Sequence, residues 1–449
     1  MRLSHSRILV FALLPLLGLP AFAAENPAAV LDLSHIQDQT LSNGLRVIIK
    51  SEPYWKAVAL GVVLRTGAKD DPAEQSGLAH LVEHLLFEPS LPGKSLSVEV
   101  ENLGGFVNAS TTSDFTDITL AVASQFAPDL MPQLASAVFG AKFTDEQVEA
   151  EKVIIAREIQ DANSEVLSRL ESMIWDLSFT QHPYRFSIGG TTESVARLTA
   201  AAARKFYQQH YVAGNMGLIA VGDLDPTSFF ALARQHFGGY PKANRPAEEI
   251  PAESEQTADR TRIVNLGVAN SVIRYAWRTP GITDRPGVCA MDLLYTALDR
   301  GETSLLNKAL DQKGLALDST CSFLTHKYPG LFMITVVAPP DKELEARQAI
   351  LSTVATLRDK QFSDEELRYL KKLLYADYAF SNQSYPDQVG SLAFYEAIDS
   401  YRFATSYLTY ANAVTAEQIQ AAARKFLRED NYNLVILRPL RETPGGEPV

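Results

Sequence analysis

The stretch GLAHLVEHLLFEPS, residues 77 to 90, sets His80, Glu83 and His84 among leucines. Successive residues on a helix are about 100° apart, so His80, Glu83, His84 and Phe87 share one stripe. Leu78, Leu81, Val82 and Leu85 occupy the opposite side and face a core. Two histidines at i and i+4 are placed to hold one zinc ion through imidazole nitrogens. Glu83 stands beside that metal as a general base, and a base next to a Lewis acid suits amide hydrolysis. The bland alternative is a polar stripe that faces solvent. A catalytic zinc usually takes three protein ligands, so a third is required.

The helical segment DEQVEAEKVIIAREIQDANSEV offers Glu151 and Glu158, seven residues apart and therefore on one face. For two lone glutamates a solvated face is the simpler reading. An internal duplication changes the balance. AAARKF at 201–206 returns at 421–426, and FTDEQVEAEK at 143–152 returns as FSDEELRYLK at 362–371. VVLRTGAKDD at 62–71 pairs more weakly with RYAWRTPGIT at 274–283. On this alignment Glu151 meets Leu370 and Glu158 meets Asp377, while His80, Glu83 and His84 fall near Leu293, Thr296 and Ala297. The second copy keeps the framework without the chemical set, which places a single site in the first copy.

The elements that must position this set read as α+β, with two homologous domains, each a mixed sheet packed against helices. In the first copy strands are expected at 45–50, 58–67, 115–124 and 216–223, and helices through 145–175. The domains are expected at 24–239 and 261–440. The Pro-, Glu- and Ala-rich stretch 240–260 reads as their linker, and 441–449 as a disordered tail.

These residues resemble the pitrilysin-like (M16) metallopeptidases, a family that includes the mitochondrial processing peptidase. H-x-x-E-H is the family's inverted zinc motif, and Glu158 stands 74 residues after His84. GGFVNASTTSDFTDITL (104–120), HPYRFSIGG (182–190) and GNMGLIAVGD (214–223) are similar to further family segments. The resemblance implies His80, His84 and Glu158 as zinc ligands, Glu83 as the base and Glu151 as an acid orienting a ligand. It implies that Phe106, Val107, Asn108 and Ala109 form a sheet edge to which a peptide substrate adds as a strand; Asn108 reads equally as an ordinary edge residue. His182 reads as structural rather than metal-binding.

One departure concerns an Arg and a Tyr that active members carry in the second domain or in a partner. Here Asp311 and Leu317 stand in their places, in KALDQKGLALDSTCSF (308–323). The expectation is a zinc-bearing subunit completed by a homologous M16-like partner; a non-catalytic peptide-binding or scaffold subunit is the alternative.

Arg2 and Arg7 followed by an apolar run to Phe22 and the Ala21-Phe22-Ala23 pattern read as a signal peptide cut after Ala23. The expected product is a periplasmic protein without stable membrane insertion. Losing the leader takes the formal charge from −12 to −14, because two arginines and no acid leave with it; that argues against a nucleic-acid partner. Cys289 and Cys321, the two cysteines of the chain, read as buried thiols or as a disulfide.

Overall fold

A computed structural model describes residues 30–87, 95–243, 247 and 249–440. The expected leader and tail lie outside these residues. The first sheet has six strands, β1 (Ile36–Thr40), β2 (Arg46–Ser51), β3 (Ala57–Leu64), β4 (Phe106–Thr111), β5 (Thr116–Ala123) and β6 (Met216–Gly222), in the order β1-β2-β6-β3-β5-β4. The second has β7 (Arg260–Leu266), β8 (Ser271–Arg278), β9 (Asp318–Phe323), β10 (Leu331–Ala338) and β11 (Asn433–Pro439), in the order β7-β11-β8-β10-β9. β6 lies parallel to β2 and antiparallel to β3, and β11 lies parallel to β7 and antiparallel to β8. Without β1 the two orders superimpose. The sequence repeat is thus a repeat of sheet topology, and both sheets are mixed.

Six helices carry the argument: α1 (Leu78–Phe87), α2 (Asp145–Ser164), α3 (Val166–Ser178), α4 (Arg285–Asp299), α5 (Asp364–Phe380) and α6 (Tyr385–Ile398). The FTDEQ and FSDEE repeats are capping boxes: Thr144 with Gln147 starts α2, and Ser363 with Glu366 starts α5. The helices expected through 145–175 are α2 and α3, which part at Glu165, whose backbone is extended. Asp161, Asn163 and Ser164 precede the break, and Ser164 Oγ donates to the Asp161 carbonyl at 2.6 Å. Short polar side chains of this kind compete with the helical backbone.

The break matters because α3 leaves the first core. Its Leu170 and Ile174 pack with Val272, Ala276, Val435 and Leu437 of the second sheet. The second copy answers in kind: α6 lies on β3, β5 and β6, with Val389, Leu392 and Ala393 in one cluster with Ile48, Ala59, Val63 and Val221. Strand side chains alternate between faces. Accordingly, Val47, Ile49, Leu60 and Val62 point the other way and meet Leu78, Leu81, Val82 and Leu85 of α1. Gly61 permits the close approach of α6, since a Cβ there would sit 2.5 Å from Val389 Cγ1. β2, β3 and β6 are buried almost end to end, as strands covered on both faces must be.

Among the described residues, 238–259 hold no helix or strand, and Arg260 already belongs to β7 rather than to the expected linker. Its Glu253 end is nonetheless pinned. The Glu253 carboxylate accepts the backbone N–H groups of Thr180, Gln181 and His182 at 2.8–2.9 Å. Cys289 and Cys321 are both free buried thiols, not a disulfide. No helix among the described residues is long and apolar enough to cross a membrane.

Candidate active site and metal centre

α1 begins without a capping residue beside it. Its first amides are satisfied from upstream: Asp71 Oδ2 accepts from Gly77 N (2.8 Å) and Leu78 N (3.2 Å), and Oδ1 from Ala79 N (2.8 Å). A buried helix start needs such acceptors. Gly77 has φ +95°, and a Cβ on it would lie 2.7 Å from the Gly189 carbonyl oxygen. The 187–190 segment is thereby held against the start of α1.

α2 crosses α1 and brings up its two acids. Glu151 is buried, and its Oε2 lies 2.9 Å from His84 Nδ1. With Nδ1–H donating to that carboxylate, the lone pair is left on His84 Nε2. That nitrogen is 3.3 Å from His80 Nε2, and Glu158 Oε2 is 3.6 Å from His84 Nε2 and 3.9 Å from His80 Nε2. Three ligand atoms, all within 4.8 Å of one another, thus converge on one point. A tetrahedral zinc with bonds near 2.0–2.1 Å separates two nitrogen ligands by about 3.3–3.4 Å, so the donors present fit that ion. Burial, and after it the neighbouring His84, holds the His80 imidazole down at about 4, neutral and competent to ligate.

Glu83 sits on the same face as the ligands but turns to β4. It is 9% exposed, and Thr111 Oγ1 donates to its Oε2 at 2.5 Å. Burial raises its carboxyl above the ordinary range, opposed by the Thr111 hydrogen bond and by His84. Thr111 closes β4, the outermost strand of its sheet, so the free edge at Phe106, Val107, Asn108 and Ala109 leads to the site. Phe106 and Asn108 are exposed, whereas Val107 and Ala109 are half-buried. A cavity of about 790 Å³ opens beside His80 and Glu158, between α2, α3 and the 187–193 segment, and reaches Arg274 of β8.

The remaining residues sort themselves by distance from this point. His182 is buried and accepts from Tyr184 N at 3.2 Å, a structural role. The Asp311 carboxylate accepts from Ser319 Oγ (2.9 Å) and Asn307 Nδ2 (3.3 Å), Leu317 is 64% exposed, and neither lines the cavity. Sequence reasoning missed Asp71 and Thr111. Thr111 lies in a run of small polar residues with no periodic signal, and Asp71 acts across a gap longer than any helix-cap spacing.

Two family descriptions match the chain: "Insulinase (Peptidase family M16)" over residues 46–192 and "Peptidase M16 inactive domain" over 197–374. The zinc protease PqqE of Helicobacter pylori is 23% identical over 409 residues, covering 89% of this chain and 92% of that relative. Subunit 1 of the bovine mitochondrial cytochrome b-c1 complex is 29% identical over 215 residues, 47% of this chain and 44% of its own. A putative M16-like peptidase from Alicyclobacillus acidocaldarius has the same fold, with a TM-score of 0.83 at 24% identity, over 91% of this chain and all of that one. The two matched segments take in β2 through most of α5, including His80, Glu83, His84, Glu151 and Glu158, and on that basis the chain belongs to peptidase family M16.

Proposed function

We propose that this chain is an exported zinc metallopeptidase that cuts unstructured peptides. The observation that carries the reading is the convergence of His80, His84 and Glu158, with Glu83 on the same face and hydrogen-bonded to the end of an open edge strand. Zinc held by these three residues supplies Lewis-acid activation of the scissile carbonyl and of water. Glu83 accepts the proton of the attacking water and returns it to the leaving amine. Its raised affinity for a proton, set by burial, suits both halves of that task. Glu151 fixes the tautomer and the tilt of His84. β4 pairs with the substrate backbone, which orients the scissile bond without selecting side chains strongly.

Asp311 and Leu317, both outside the cavity, favour a composite enzyme. In that arrangement a homologous subunit supplies the donors that stabilise the developing oxyanion, and this chain is the catalytic partner of a heterodimer in the periplasm. The same two residues favour the second reading, a non-catalytic peptide-binding or scaffold subunit. Metal content and peptide hydrolysis separate the two, measured on the purified chain and on Glu83→Gln, with and without a homologous M16-like subunit. One zinc per chain, activity abolished in Glu83→Gln and raised by the partner, is the expected result. Absence of bound metal, or hydrolysis indifferent to Glu83, establishes the scaffold reading.

A further inference from the structure

A second cavity, of about 430 Å³, adjoins the first, and Glu171, Ser172 and Ser187 border both. Its walls are Trp175 of α3, Phe186, and Phe323, Leu324, Leu331 and Met333 of the β9–β10 hairpin. Thr112 and Ser113, the residues directly after β4, form part of the rim. An extended peptide paired with β4 that runs on past Thr111 therefore arrives at this opening.

The charged groups around it are already engaged. Arg185 bonds Asp176 (3.2 Å) and the Thr180 carbonyl (2.9 Å). Glu171 takes Trp175 Nε1 at 2.6 Å and is ion-paired with Arg274. His326 faces Asp114 at 3.3 Å. A charged side chain entering the cavity loses its hydration and finds no free counter-charge, whereas an aromatic or large aliphatic one covers apolar surface that is otherwise wet. Phe186 and Leu324, 38% and 58% exposed, are the parts of the wall left uncovered.

We infer that this cavity is a specificity pocket that selects peptides carrying a bulky apolar residue a few positions from the scissile bond. The inference rests on the peptidase reading of the neighbouring site. It adds side-chain selection to the backbone recognition supplied by β4. Because the walls include both the β9–β10 hairpin and the segment after β4, the occupant also touches both sequence repeats at once.

The test uses zinc-loaded full-length protein, together with its homologous subunit if activity requires one. The substrates are a Ser/Gly/Ala host peptide in which one Phe is moved position by position on each side of the cut. At one position Phe is expected to raise kcat/KM on the order of tenfold over Ser, with no such gain for Glu or Lys. Leu324→Asp, at an exposed position, is expected to erase the difference between the Phe and Ser peptides. A direct readout comes from tryptophan emission in a Trp55→Phe, Glu83→Gln background, where fully buried Trp277 lies outside the cavity and adds a constant signal; the Phe peptide shifts the Trp175 component and the Ser peptide does not. Equal rates for Phe at every position, or equal losses for both peptides in Leu324→Asp, overturn the pocket. A Trp175 response without hydrolysis by the wild type retains the pocket and refutes the peptidase reading; absence of both refutes both.

Discussion

The two copies of the fold meet the same packing problem in opposite ways. α1 presents His80 and His84 towards α2 and Glu83 towards β4, whereas α4 presents Leu293, Thr296 and Ala297, all buried. Where Glu151 holds His84, Leu370 is packed into the second core. Where Glu158 stands 3.6 Å from His84 Nε2, Asp377 instead pairs with Arg300 of the α4 end at 2.9 Å. One copy closes the gap between its helices with hydrocarbon and an ion pair. The other gathers His80, His84 and Glu158 there, together with two buried carboxylates. The framework does not need the chemistry, and the chemistry displaces packing that the framework could have had.

The comparison is broken most sharply at the base. Glu83→Gln leaves the packing and the ligands in place and is expected to lower kcat by a factor on the order of 10²–10⁴, read in a peptide-hydrolysis assay with zinc content unchanged. The opposite signature belongs to the second copy. Leu293→Ala opens a cavity in a fully buried site and is expected to cost about 2–5 kcal/mol in denaturant unfolding, with zinc bound per folded chain unaltered.

What joins the copies can be probed with acid. Burial alone would raise the Asp114 carboxyl, but His326, Lys69 and Tyr184 together hold it down at about 2. Its unfolded value is near 3.9, so its contribution of about 2 kcal/mol is complete above that pH and is lost as pH falls towards 2. Buried His182, held down at about 4, acts in the same direction at higher pH, because the unfolded chain takes up its proton first. Asp114→Asn is expected to flatten the acid limb of stability against pH below about 4.

Smaller effects sharpen the picture of the site itself. Thr111→Val removes the hydroxyl that orients Glu83 and is expected to lower kcat/KM by about tenfold, the worth of one hydrogen bond to a charged group. Glu158→Gln is expected to change the stability of the zinc-free chain by no more than about 0.5 kcal/mol, since the side chain is half exposed. The same change should abolish the rise in Tm that zinc gives the wild type, as measured by thermal unfolding with and without the metal.

Residue spacing made the ligand helix, the paired glutamates and the duplication legible, because helical period and repeat offset are properties of the chain itself. The capping boxes at Thr144 and Ser363 fall inside one of the repeated segments, though the repeat alone did not mark them as helix starts. Other features depend on distant segments. That α3 serves the second sheet and α6 the first cannot be read from their amphipathic faces, which look alike whichever sheet they cover. Asp71 and Thr111 act across turns and strands, and Glu253 anchors itself by accepting backbone amides, which any loop possesses. The sequence thus indicated what the site contains, while its supports came from packing.

The exchange of α3 and α6 between sheets also sets the order in which the chain can become a protein. As it leaves the ribosome, the first sheet is complete in its strands by Gly222, yet the α6 face of Ala59, Val63 and Val221 has no cover until residue 398 has followed. For some 180 residues of synthesis a large apolar surface waits for a helix still to be made. Neither half is therefore a unit of folding, and a fragment cut between the copies exposes one sheet face on each side, a surface prone to aggregation.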